Sequence, residues 1–111
     1  MDFVRVFTGE DGTSRFEFID PLANADWARG LPATQCSVRQ MAAGTVMDWH
    51  PAPRRQYIIN LDAGVQITAS DGESRVIGAG EVILVEDTTG KGHLSKAIDG
   101  KLRHCIFVPI D

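Results

Sequence analysis

Three histidines, His50, His93 and His104, are the residues in this chain best suited to chemistry. An imidazole changes charge near neutral pH, so it can act as a general acid or base and can also ligate a metal. His50 lies in "MDWHPAPRRQYIINL", just ahead of a strand-like run that begins at Gln56. His93 follows the glycine-rich loop Gly90-Lys91-Gly92 at a strand start, where barrels present working groups. His104 lies inside the apolar run "LRHCIFV". Other chemistries find no support. No serine sits in a G-x-S-x-G elbow. "GKGHLS" lacks both the spacing and the following helix of a phosphate loop. Cys105 is next to His104, but adjacent strand residues point to opposite faces, so the two make no nucleophile pair.

The elements that must position these histidines read as strands. Short β-rich runs are expected at 3–7, 15–19, 35–41, 56–60, 65–69, 75–77, 82–85, 94–98 and 102–108. The one helical candidate, 21–30, is at most a short turn. Asp-Gly occurs between strand-like runs at Asp11-Gly12, Asp71-Gly72 and Asp99-Gly100, and this dipeptide suits a two-residue type I′ hairpin. Three such turns favour an antiparallel barrel or sandwich. A two-residue loop at Asp99-Gly100 would set Ser95 opposite His104 and His93 opposite Ile106. His104 would then face inward with Leu102, Ile106 and Val108, diagonal to His93. In the strand from Gln56, alternation sets Gln56, Ile58 and Asn60 on one face and Tyr57, Ile59 and Leu61 on the other. Period alone leaves open which face is inside. Alternation also sends Arg54 and Arg55 to opposite sides, so at most one could meet an anionic ligand.

With 111 residues the chain is expected to form one domain around one core. An apolar share of 43% with 23% charge is that of a globular chain rather than a disordered one. A net charge of -4 gives no bulk attraction to nucleic acid or to an anionic membrane. No apolar run approaches a membrane span and no signal peptide is visible, so the expected location is cytoplasmic. Cys36 and Cys105 form no C-x-x-C pair and read as small buried hydrophobes rather than a disulfide.

These residues resemble those of a small single-domain cupin. The first cupin motif, G-x5-H-x-H-x3–4-E-x6-G, falls on Gly44, His50, Ala52, Gln56 and Ala63 with its spacing kept. Its second His is Ala52, its Glu is Gln56 and its closing Gly is Ala63. The second motif, G-x5-P-x-G-x2-H-x3-N, falls on "GEVILVEDTTGKGHLSKA". There Glu86 stands at the Pro position, His93 comes two residues late and Ala97 stands at the Asn position. The resemblance covers roughly 34–110, with 1–33 as N-terminal strands and a loop. It implies an all-β antiparallel jelly-roll barrel with an inward Gln56. It also implies a weakened metal site of His50, Gln56 and His93, for a divalent ion such as Fe, Mn, Ni or Zn. An amide is a weak, neutral ligand for such an ion. Small cupins often pair through N-terminal strands, which implies a homodimer.

The expected activity is acid–base chemistry of the isomerase or epimerase kind on a small carbonyl or acid substrate. His50, His93 and His104 are the candidate catalytic residues, and Gln56, Arg54, Tyr57 and Trp49 are the candidate substrate contacts. Two other uses fit the same barrel: a non-catalytic module that binds or senses a small ligand, and a metal-dependent dioxygenase-type cupin.

Overall fold

The chain folds as strands because its apolar residues alternate or cluster in runs too short for helices. The computed structural model describes residues 3–23, 30 and 32–110. The described residues form ten strands, in order: β1 (Phe3–Thr8), β2 (Ser14–Ile19), β3 (Ser37–Met41), β4 (Val46–His50), β5 (Gln56–Asn60), β6 (Val65–Ala69), β7 (Ser74–Ile77), β8 (Val82–Glu86), β9 (His93–Ala97) and β10 (Arg103–Pro109). Residues 24–29 of the helical candidate lie outside the described residues, and the described ones contain no helix. A six-stranded sheet runs β2-β1-β8-β5-β10-β3, and a four-stranded sheet runs β4-β9-β6-β7. Val6, Ile83 and Val85 of the large sheet pack against Val65, Ile67 and Ile77 of the small one. The outer face of the large sheet buries Ile19, Leu84 and Ile110, with Tyr57 packed on them.

The structure corrects several expectations. One pairing is parallel, β1 with β8, where Val4 meets Ile83 and Val6 meets Val85. The Asp-Gly turns are not type I′, since no residue other than glycine has positive φ among those described. Instead Gly12 N–H donates to the Gly9 carbonyl and Gly72 N–H to that of Ala69. With only Gly12 and Gly72 at positive φ, these are type I turns closed by a glycine bulge. Asp11 and Asp71 contribute through their side chains, which accept the N–H groups of Thr13 and Glu73.

Asp99-Gly100 does not close a hairpin at all. It carries the chain from β9 in the small sheet to β10 in the large one. β9 pairs with β4 and β6, and β10 pairs with β3 and β5. The proposed register of β9 on β10 is therefore wrong, and so is the inward face read from it. Along β10 it is Arg103, Cys105, Phe107 and Pro109 that are buried, while His104, Ile106 and Val108 are only half-buried. Cys105 is a buried thiol as expected, whereas Cys36 is exposed.

Candidate functional site

The site begins with an irregularity in β4. Met47 pairs with Ser95 and His50 with His93, so three residues of β4 span two of β9. Residues three apart on a regular strand face opposite ways. The extra residue at Asp48-Trp49 is a β-bulge, a device that re-aims a side chain. Both Met47 and His50 consequently line the cavity between the sheets. Trp49 is left on the outside, beside a shallow surface formed with Ser70 and Lys91.

His93 is set by the loop before it. Gly92 has φ +76, and a Cβ there would run into the backbone of His50 and Pro51. Only glycine lets the two histidine-bearing segments approach this closely. The Gly92 carbonyl accepts the buried Ser14 hydroxyl at 2.7 Å. Lys91 N–H donates to the Gly12 carbonyl, and the Thr8 hydroxyl donates to that of Thr89. The loop is thus bolted to the β1–β2 hairpin.

The imidazoles of His50 and His93 lie with ring centroids 4.9 Å apart and planes at 54°. His93 Nδ1 donates to the Asp87 carboxylate at 2.6 Å, with His93 5% and Asp87 0% exposed. His50 Nδ1 donates to the Asp48 carbonyl at 2.7 Å. Each Nδ1–H is committed to an oxygen, so each neutral ring keeps its Nε2 lone pair as the free basic site. The second oxygen of Asp87 is buried without a partner among the described residues. A native fold seldom keeps such a group without a use for it. Asp87 is therefore part of the site. Its only sequence signal is its place six residues before His93, across a glycine-rich loop.

The cavity holds about 290 Å³ and is walled mainly by apolar side chains, among them Ile58, Ile67, Ile83, Val85 and Phe107. Gln56 lines it and is buried. Gln56 pairs with Val85, two residues from Asp87, so it shares the imidazole end. Arg103 and Arg39 also line the cavity, and Arg103 is only 7% exposed. Sequence reading missed both arginines. Arg54, chosen instead, is exposed, and Arg55 pairs with Glu86 at 2.7 Å outside the cavity. Tyr57 faces the outer layer with Leu84 and Ile19, where burial and the nearby Glu86 carboxylate push its phenol up. His104 lies on the outer face too, its Nδ1 donating to Asp62 at 2.6 Å. Of the residues selected from sequence, His50, Gln56 and His93 come together, and His104, Arg54, Tyr57 and Trp49 stand apart.

The donor set does not fit a resident divalent metal. Two neutral imidazoles and one amide supply no negative charge, and Ala52 fills the position of a further ligand with a buried methyl group. Asp87 is already committed to His93. Among the described residues, no three His, Cys, Asp or Glu side chains cluster so as to hold an ion.

No protein-family model and no curated protein matches the sequence. Solved structures do match. The polyketide cyclase RemF from Streptomyces resistomycificus is 16% identical at a TM-score of 0.55, over 97% of this chain and 75% of that one. The Cnp3 cupin domain of Schizosaccharomyces pombe is 13% identical at 0.52, over 100% of this chain and 83% of that one. Protein NMB1881 from Neisseria meningitidis is 10% identical at 0.52, over 74% and 84%. At these identities the likeness concerns the backbone and not the chemistry. The two facing sheets, their strand order and these neighbours give the chain the cupin fold.

Proposed function

We propose that the chain is an acid–base enzyme that moves a proton within a small carbonyl compound, as an isomerase or epimerase does. The observation that carries this reading is the buried Asp87–His93 contact beside the second imidazole of His50. Asp87 fixes the tautomer of His93 and would stabilise the imidazolium formed when Nε2 takes a proton. His50, one ring away, is the natural group to return a proton to the product. Apolar walls exclude water and strengthen both transfers. A barrel that only stores or senses a ligand would share those walls. It would have no need of a buried carboxylate with one oxygen unpartnered, which costs stability.

The test is solvent deuterium incorporation into enolisable methyl ketones, read by proton NMR. Incorporation beyond the uncatalysed rate is expected, with a drop of roughly 10²–10⁴ in His93→Gln. Failure to exchange any ketone that demonstrably binds would end the reading.

A further inference from the structure

The cavity has a second pole, which acid–base chemistry at the histidines does not use. Arg103 projects from the start of β10 into a mostly apolar space and is more than nine-tenths buried. Its one hydrogen bond among the described residues runs from Nη1 to the Asn60 carbonyl oxygen at 2.8 Å. That acceptor is neutral. The Asn60 amide group in turn donates to the Ile77 carbonyl at 2.8 Å, so both ends of the side chain are committed. Arg103 Nε is buried with no partner among the described residues. No carboxylate pairs with Arg103 among the described residues, although Arg5, Arg15, Arg55 and Arg75 all have one.

A guanidinium is a permanent cation, and removing it from water without a counter-ion is costly. A core that needed only packing would hold an apolar side chain there. From the buried, uncompensated guanidinium and its neutral Asn60 brace, we infer that Arg103 anchors the carboxylate of the substrate. The ligand class is an organic monocarboxylate with an apolar body and a carbonyl group. This rests on the acid–base reading for the role of the carbonyl, but not for the carboxylate.

Charge and register support the choice. One buried cation matches one negative charge, which suits a carboxylate better than a phosphate dianion. Planar guanidinium and planar carboxylate also match in shape. Arg39 sits at the exposed mouth with its guanidinium 4.0 Å from the Phe107 ring, where it can draw an anion inward. The two poles lie at opposite ends of β5. Gln56 opens the strand at the histidine end, and Asn60 closes it at the arginine end. The four residue steps from one to the other span roughly 13 Å. The bound molecule is therefore extended, its carboxylate at Arg103 and its carbonyl carbon near His50 and His93, with the apolar walls gripping the chain between.

The probe is the series of methyl-ketone acids that starts with levulinate, each compared with its methyl ester, and with inorganic phosphate as a control. Calorimetry on the wild type is expected to show at least one acid binding well ahead of its ester, and phosphate not binding. Arg103→Met should weaken that acid by at least about thirtyfold and leave the ester within about twofold. Should Arg103→Met not fold, Arg103→Lys decides, since an ammonium keeps the charge but loses the fork. It should weaken the acid at least tenfold while the ester is unaffected. Equal binding of acid and ester, binding of no acid at millimolar concentration, stronger binding of phosphate, or an arginine variant with unchanged acid affinity would each overturn the inference. Its failure is separable from failure of the acid–base reading. Acids that bind through Arg103 but exchange no deuterium leave the anchor standing alone. Esters that exchange as fast as acids, in wild type and variant alike, leave the histidine chemistry and remove the anchor.

Discussion

Among the described residues are two His–Asp pairs of the same length. His93 Nδ1 lies 2.6 Å from an Asp87 oxygen, and His104 Nδ1 lies 2.6 Å from an Asp62 oxygen. Their surroundings differ in every other respect. The His93 and Asp87 side chains are 7% and 0% exposed and border the cavity, while those of His104 and Asp62 are 39% and 44% exposed on the outer surface. In water such a contact contributes little, because solvent competes for both partners. Away from water it fixes a tautomer and shapes reactivity. The two pairs show that a hydrogen-bond length identifies a contact, and its burial decides whether the contact can be a site.

The largest effect should come from breaking the buried pair. His93→Ala leaves the Asp87 carboxylate enclosed with no partner, which should cost about 3 kcal/mol of stability. It should also remove turnover. His104→Ala, at the same nominal distance from its acid, should leave both close to wild type. Thermal denaturation and deuterium exchange on the two variants make the comparison, and similar losses in both would contradict it.

A smaller effect separates the turns that precede the two histidines. Gly92 and Gly100 both have positive φ. A Cβ at Gly92 would collide with the backbone of His50 and Pro51, whereas one at Gly100 meets open space. Gly100→Ala should cost only the conformational penalty, about 1–2 kcal/mol. Gly92→Ala should cost more and should also impair activity, since it separates His50 from His93. Denaturant midpoints, with exchange rates measured on the folded protein, would show whether the losses differ.

The smallest effect concerns the exposed pair. Asp62 is held below its ordinary value of 3.8, first by the His104 backbone N–H and then by the His104 ring. A folded value below the unfolded one adds stability that is fully present above pH 3.8 and fades as the pH falls through the folded value. His104→Ala removes the second cause and keeps the first. The Asp62 midpoint, followed by carboxyl carbon NMR, should rise only part of the way back toward 3.8. A full return would mean that the backbone N–H contributes nothing.

The strands were largely legible in the sequence, because alternating apolar residues and glycine-bearing turns are local signals. β4 was not, and its bulge explains why: an extra residue destroys the alternation by which a strand is recognised. The His50–His93 meeting was read from motif spacing that outlasts the motif's own residues. His104 was misplaced because a turn dipeptide was taken to close a hairpin, a choice that depends on which sheet each strand joins. Cys105 held a better clue. Cysteine is among the most often buried residues, and an inward Cys105 puts Arg103 and Phe107 inward and His104 outward. Asp87 and Arg103 could not be singled out from type alone. Their significance is burial without an adequate partner, which only a folded arrangement displays.

The parallel pairing of β1 with β8 has a consequence for how the molecule forms. β1 and β2 can zip into a hairpin early, yet Val4 must wait for Ile83, far along the chain, before it joins the large sheet. Such distant pairings carry a loop-closure cost and slow folding toward the millisecond-to-second range. The hydrogen bonds from Thr8 to Thr89 and between Gly12 and Lys91 can form only in that same docking step. Native-state hydrogen exchange is therefore expected to show β1, β2 and residues 87–93 opening together, ahead of β5 and β10. On this expectation the His50–His93 contact is complete only once the N-terminal hairpin has docked, because the loop that sets His93 is held by its bonds to that hairpin.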